Sequence, residues 1–198
     1  MLSYLKKQEQ KMSKVLVPLA NGFEEIEAVS IIDVLRRAKI EVIIASLNDT
    51  MLVKGANGIT IQAQMQIKDI DINALDMVVL PGGWEGTHTL AKDENVQNLL
   101  RQMDKKGKNI GAICAAPFAL NQAGVLKEKY TCYPSVEDEI KKDGYQGDKA
   151  MVVQDKNIIT SRGPATALCF ALEIVRQLKG EETYQNLKQG LLASYCQS

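Results

Sequence analysis

The sequence predicts an α/β fold with a mostly parallel central sheet covered by helices on both faces. Three observations carry that prediction. Short apolar runs alternate along the chain with segments of helical periodicity. Runs such as "VLVPL" and "MVVL" are continuously apolar, as strands buried on both faces are, rather than alternating apolar with polar. Small or turn-forming residues follow the runs at once, in "ANGFEE", "LPGGWEG", "ICAAP" and "TSRGP". In a parallel sheet these four punctuations fall on one edge, at the carboxyl ends of the strands. Ligands of open α/β sheets bind there, where the strand order reverses.

The chain opens with "MLSYLKKQEQK", polar and basic without a fixed pattern. Residues 1–12 are read as an N-terminal extension, disordered or a short helix, ahead of a single domain over 13–198. Strands are expected at 14–19, 41–46, 76–81, 109–114, 150–154 and 157–161. Helical patterns fall at 24–38, 88–106, 115–123, 164–179 and 181–193. In the first of these, Ile26, Val29, Ile31, Ile32, Leu35 and Ala38 give the spacing of an apolar helix face. "KGANGITIQAQ" combines Asn-Gly with β-branched residues and predicts a small hairpin or edge element. "QDKNI" reads as a tight turn between two strands.

Composition narrows the partners. The 198 residues carry 24 basic and 24 acidic side chains, a formal net charge of zero, which disfavours nucleic acid as a partner. No apolar run reaches the roughly 18 residues that cross a membrane. The N-terminus lacks the apolar centre of a signal peptide, so a cytoplasmic location is expected. The cysteines, Cys114, Cys132, Cys169 and Cys196, are widely and irregularly spaced, with no C-x-x-C pair. Neither a structural zinc site nor a disulfide framework is expected, and all four are read as thiols.

Cys114 is the first chemical candidate. It lies where the strand "NIGAI" gives way to the helix "AAPFALNQA", a junction that forces a sharp turn like that of a nucleophile elbow. Gly111, Ala112, Ala115 and Ala116 supply the small neighbours such a turn needs. Helix amides there would favour a thiolate. On this stretch alone the alternative of an inert buried cysteine stays open. Gly82 and Gly83 let backbone amides approach a ligand closely, as an oxyanion hole requires, or simply make a tight turn. Glu24 and Glu25 suit a helix N-terminus on electrostatic grounds. Glu27 sits between apolar Ile26 and Ala28; if buried, its carboxyl pKa rises and it can donate a hydrogen bond to a thiolate. His88, the single histidine, suits a surface or helix-start role. Arg162 and Gly163 stand at a strand end, with Pro164 opening a helix; Arg162 is a candidate for binding an anion or a neighbouring subunit.

The segments "GFEEIEAV", "DVLRRAKI", "VVLPGG", "GAICAAP", "ITSRGPATA" and "FALEIV", in this order over nearly the whole chain, resemble the DJ-1/ThiJ/PfpI family. The resemblance implies a flavodoxin-like three-layer sandwich with a nucleophile elbow, and a homodimer. It implies Cys114 as the reactive cysteine, Glu27 as its acid/base partner, and Gly82, Gly83 and Ala115 as the oxyanion amides. Two departures matter. Tyr133 stands where several members carry a histidine before proline, and is expected to contact substrate together with Arg162. Ala115 replaces the histidine that follows the cysteine in the peptidase branch, so peptidase activity is not expected. The activity implied is a cofactor-free and metal-free glyoxalase III or deglycase acting on a small dicarbonyl such as methylglyoxal. The non-enzymatic alternative is a redox sensor or stress chaperone working through oxidation of Cys114 to sulfinate.

Overall fold

The computed structural model describes residues 12–196, and the extension expected over residues 1–12 lies, except for Met12, outside the described residues. In chain order the elements are β1 (Lys14–Leu19), α1 (Glu25–Arg37), β2 (Glu41–Ser46), β3 (Leu52–Lys54), β4 (Thr60–Gln62), β5 (Met65–Gln66), β6 (Met77–Leu80), α2 (Trp84–Lys92), α3 (Glu94–Lys105), β7 (Asn109–Ile113), α4 (Pro117–Gln122), α5 (Val136–Ile140), β8 (Val152–Asp155), β9 (Ile158–Ser161), α6 (Ala167–Lys179) and α7 (Glu181–Gly190). Seven strands form one sheet in the order β5-β2-β1-β6-β7-β9-β8, parallel throughout except for the β8–β9 hairpin at one edge. β3 and β4 make a separate antiparallel pair. The fold is therefore the mostly parallel α/β sandwich that the strand–helix alternation predicts.

The apolar runs explain the order. β1 and β6 are buried along almost their whole length, which only the middle of a sheet covered on both faces allows. From β1 the chain steps outward to β2 and β5, then returns to the other side of β1 at β6 and continues to β7 and β9. The order reverses between β1 and β6. The loops after these strands thus face one another across the crevice where such sheets bind ligands.

Several expected elements shift. The single helix read over 88–106 is two helices, and the first begins earlier, at Trp84. The break is Asp93, which leaves the helical conformation and accepts a hydrogen bond from Val96 N at 3.0 Å to cap α3. β5 and α5 carried no sequence signal; they are two and five residues long, too short to show a period. In α1 the apolar face was misassigned. Ile26 and Val29 are 59% and 48% exposed, whereas Glu25 and Glu27 are buried with Ala28, Ile31, Ile32, Val34 and Leu35.

The cysteines require a second correction. Cys169 on α6 and Cys196 near the C-terminus are joined in a disulfide, leaving Cys114 and Cys132 as thiols. Spacing along the chain misled here, because α7 doubles back beside α6 and brings the two together. Closing a loop across a sequence separation of 27 stabilises a fold by about 3–4 kcal/mol on chain-entropy grounds. In denaturant without reductant the protein is expected to titrate as two thiols, and as four after reduction. Cys196→Ser is expected to lower the melting temperature. Four reactive thiols before reduction would show that the bridge does not form.

Candidate active site

Cys114 follows β7 directly and takes φ +63°, in the left-handed region that costs a residue with a side chain roughly 1–3 kcal/mol. The cost is met by clamping on both sides. Its amide donates to Ser161 O at the end of β9 (3.0 Å), and its carbonyl accepts from Tyr133 N (2.9 Å). Ala116 N closes the turn onto Ile113 O at 3.0 Å, and Pro117 opens α4 at a position where its missing N–H is not needed. Ala115 and Ala116 are both buried beside the turn. The backbone thereby turns the Cys114 side chain out of the sheet to the floor of a cleft, where the residue keeps 9% exposure.

Glu27 reaches the same point from α1. Glu24 caps that helix, its Oε2 accepting from Glu27 N at 2.7 Å, and Glu24 N donates to Gly82 O at 3.0 Å. Glu27 has no exposure, and its Oε2 accepts from Gly82 N at 2.7 Å. Its Oε1 is buried without a hydrogen-bond partner. Gly82 separates acid and thiol: a Cβ there would lie 2.6 Å from Cys114 Cβ and 2.8 Å from Glu27 Oε2. Gly83 has φ +91°, and a Cβ on it would collide with Gly22 O. Both glycines are thus needed to let α1 and β7 approach. Gly82 differs from the sequence expectation in one respect: its amide is taken by Glu27. The amides that reach Cys114 are those of Gly83 and Ala115.

The electrostatics of the pair follow from burial. Desolvation raises the Glu27 carboxyl from 4.5 to about 7, against the opposing hydrogen bond from Gly82. Cys114 is pushed up by burial first and then by the negative charge of Glu27, while the Gly83 and Ala115 amides pull it down. A thiol lowered by a helix N-terminus alone is therefore not what the site contains. α4 has only six residues, and beside an ionised Glu27 its dipole is outweighed. With the proton on Glu27, the repulsion disappears and the carboxyl becomes a donor toward sulfur. The two groups titrate as one unit that exchanges a proton.

The cleft above Cys114 encloses about 350 Å³ and is lined by Trp84, Cys114, Ala115, Tyr133, Ser135 and Val136. Tyr133, expected at the site, is present and half exposed. Arg162 is not among the lining residues. It sits beside Tyr145 and Cys132, hydrogen-bonded to Tyr145, and its Nε is buried without a partner. Cys132 is fully buried and faces the Glu137 carboxylate, so burial and that charge push its thiol up to about 12. His88 stacks edge-on against Trp84 and Phe118. Glu25 accepts hydrogen bonds from Asn57 and Ile59 and holds the β3–β4 hairpin against α1. Sequence reading missed Trp84, Ser135 and Val136 as lining residues. Trp84 carried a usable signal, since it follows the glycine pair directly and must open a helix at the ligand edge. No group of three or more His, Cys, Asp or Glu side chains among the described residues is placed to hold a metal ion.

The family model described as DJ-1/PfpI family matches residues 13–177. The chain belongs to the DJ-1/PfpI family. Among its DJ-1 relatives, Protein dj-1beta of Drosophila melanogaster is 42% identical over 186 residues, 93% of this chain and 100% of the relative. The Caenorhabditis elegans protein named glutathione-independent glyoxalase DJR-1.2 is 38% identical, covering 92% of this chain and 96% of the relative. The crystal structure of Drosophila DJ-1beta superposes with a TM-score of 0.87, covering 91% of this chain and 98% of that one. The flavodoxin-like fold of DJ-1 structures is thus the fold of this chain.

Burial of Glu27 in this DJ-1 fold has a thermodynamic signature. Between 4.5 and about 7 the folded state holds a proton that the unfolded state has released, so stability falls as pH rises through that window. The loss is about 3 kcal/mol. Glu27→Gln keeps the acceptor for Gly82 and removes the titration. Its stability relative to the parent is expected to be constant at acid pH, to rise across the window and to level off above it. Parallel stability curves for the two proteins would contradict a buried, titrating Glu27.

Proposed function

We propose that the protein is a glutathione-independent glyoxalase of the glyoxalase III or deglycase type, acting on small reactive dicarbonyls. The observation that carries this reading is the buried Glu27 carboxyl, separated from the Cys114 thiol by Gly82 and hydrogen-bonded to the Gly82 amide. The glyoxalase name of the nematode relative supports it.

The pair first passes its proton to Glu27, generating a thiolate. Sulfur attacks the aldehyde carbon of methylglyoxal, forming a C–S bond and placing the electron pair on the aldehyde oxygen. The Gly83 and Ala115 amides stabilise that oxyanion. Gly82 contributes by positioning Glu27 rather than by donating to the oxyanion. Protonated Glu27 gives its proton to that oxygen and, again a carboxylate, carries the proton of the former aldehyde carbon to the neighbouring ketone carbon, while the hydroxyl proton passes to the ketone oxygen. One carbon is oxidised and the other reduced, so no external redox partner is needed. Water then cleaves the resulting thioester, releasing lactate and the thiol. Tyr133 lines the path of the substrate, whereas Arg162 acts from outside the cleft by holding Tyr145.

Purified protein is expected to convert methylglyoxal to lactate in the absence of glutathione. Cys114→Ser is expected to abolish turnover, and Glu27→Ala to lower it by about 10²–10⁴-fold. An unchanged rate in either variant would overturn the mechanism. A second reading, oxidation of Cys114 to sulfinate as a redox signal, is favoured by the partial opening of this thiol to the cleft while Cys132 is sealed. Intact-mass measurement after mild peroxide separates the two. Two oxygens gained at Cys114 without dicarbonyl turnover would make the signal the primary role.

We also propose a homodimer. Ile26 and Val29 share one exposed face of α1, and Ile59 on the hairpin clamped to that helix is 57% exposed. Three large apolar side chains on neighbouring elements suit a self-complementary interface. Ile26→Glu is expected to halve the mass found by sedimentation equilibrium; an unaltered mass would place the contact elsewhere.

A further inference from the structure

The walls of the cleft are aromatic and uncharged, and nothing in the conversion of methylglyoxal uses them. Trp84 and Tyr133 both line the cleft, each 50% exposed. Both rings are held in place. Trp84 packs edge-on against His88, with centroids 4.5 Å apart and planes at 88°, and His88 packs in turn on Phe118 at 5.3 Å. Tyr133 is fixed by its backbone bond to Cys114 O, and its ring rests on Gly163, where a Cβ would lie 3.2 Å from Tyr133 Cδ2. The remaining lining residues are Cys114, Ala115, Ser135 and Val136, so among the described residues no lysine or arginine lines the cleft. A volume of about 350 Å³ lies within the range, about 300–1,000 Å³, of pockets that enclose drug-sized ligands. The methyl group of methylglyoxal leaves most of it empty.

From this geometry we infer that Trp84 and Tyr133 determine specificity, and that the preferred substrates are uncharged 2-oxoaldehydes carrying an aryl or bulky apolar substituent. The inference rests on the dicarbonyl reading of Cys114 and extends it to the part of the substrate that does not react. Because the aldehyde carbon is bonded to sulfur at the cleft floor, its substituent is directed between the two rings. An aromatic ring there stacks or packs edge-on and removes both exposed faces from water. The same walls give a carboxylate-bearing dicarbonyl no cation to pair with and disfavour it by desolvation. The chemistry is unchanged: phenylglyoxal plus water gives mandelate as methylglyoxal plus water gives lactate.

Binding and turnover test this separately. Trp84 is the only tryptophan, so its fluorescence reports on this wall alone. The unreactive ketone 2-hydroxyacetophenone is expected to change that fluorescence saturably in the Cys114→Ser protein, and hydroxyacetone, its methyl counterpart, is not. Tyr133→Ala is expected to weaken the aryl ketone by about tenfold. In the Cys114 protein, Trp84→Ala is expected to lower the ratio of kcat/KM for phenylglyoxal to that for methylglyoxal by about tenfold. Equal binding of the two ketones, or a ratio unmoved by either aromatic substitution, would overturn the inference while leaving methylglyoxal turnover intact. Selective binding of the aryl ketone with no turnover of either aldehyde would instead overturn the glyoxalase reading and retain an aromatic-selective cleft.

Discussion

A single hydrogen bond, Gly82 N–H to Glu27 Oε2, determines how the site is built. It joins helix α1 to the turn after β6 across the strand-order reversal and holds a carboxyl group in a place with no solvent. The absence of a side chain at residue 82 matters as much as the bond. Any Cβ would displace either the acid or the thiol. Helix α1, capped by Glu24 and tied through Glu24 N to Gly82 O, carries the acid to that gap. The strained Cys114 backbone, held from β9 and from the Tyr133 segment, brings the sulfur to the same gap from the other side. Neither α1 nor the glycine turn can move without losing the burial that raises the Glu27 pKa.

The large elements were legible because burial on both faces of a sheet leaves an unbroken apolar run. β1 and β2 fall at 14–19 and 41–46, where those runs stand. The elbow was legible because small residues crowd around Cys114. Other features depend on contacts between segments far apart in sequence. Burial of Glu27 beneath exposed Ile26 depends on where α1 meets the glycine loop, which helical periodicity within 24–38 does not encode. The diversion of the Gly82 amide to Glu27 likewise needs the three-dimensional path. Spacing rules for cysteines failed at Cys169 and Cys196 because they describe local motifs, while this bridge depends on a helical hairpin. Arg162 was rightly placed at a strand end, but its direction, toward Tyr145 and Cys132 rather than into the cleft, is set by neighbours contributed by residues 130–145.

In the proposed reaction the labour is divided within a small volume. Below the sulfur, Gly82 and Glu27 set when a proton can move. Beside it, the Gly83 and Ala115 amides set where negative charge can develop. Above it, two aromatic walls bear on what the reacting carbon can be attached to. The first two groups are the buried Glu27 carboxyl and the main-chain amides of the glycine turn and the elbow. The third depends on side chains at Trp84 and Tyr133, positions that can change without disturbing the elbow. On that proposal, substrate range and chemical competence are carried by separate residues.

The bridge between Cys169 and Cys196 places oxidised and reduced sulfur in one chain, and access keeps their fates apart. Both bridged residues are nearly sealed, at 3% and 2% exposure, whereas Cys114, at 9%, lines the cleft. Thiol–disulfide exchange needs an attacking thiolate in contact with sulfur. Reductants and electrophiles alike meet Cys114 first, and the C-terminal crosslink stays beyond their reach until α6 and α7 part. A medium that keeps Cys114 reduced can therefore leave the bridge intact on kinetic grounds.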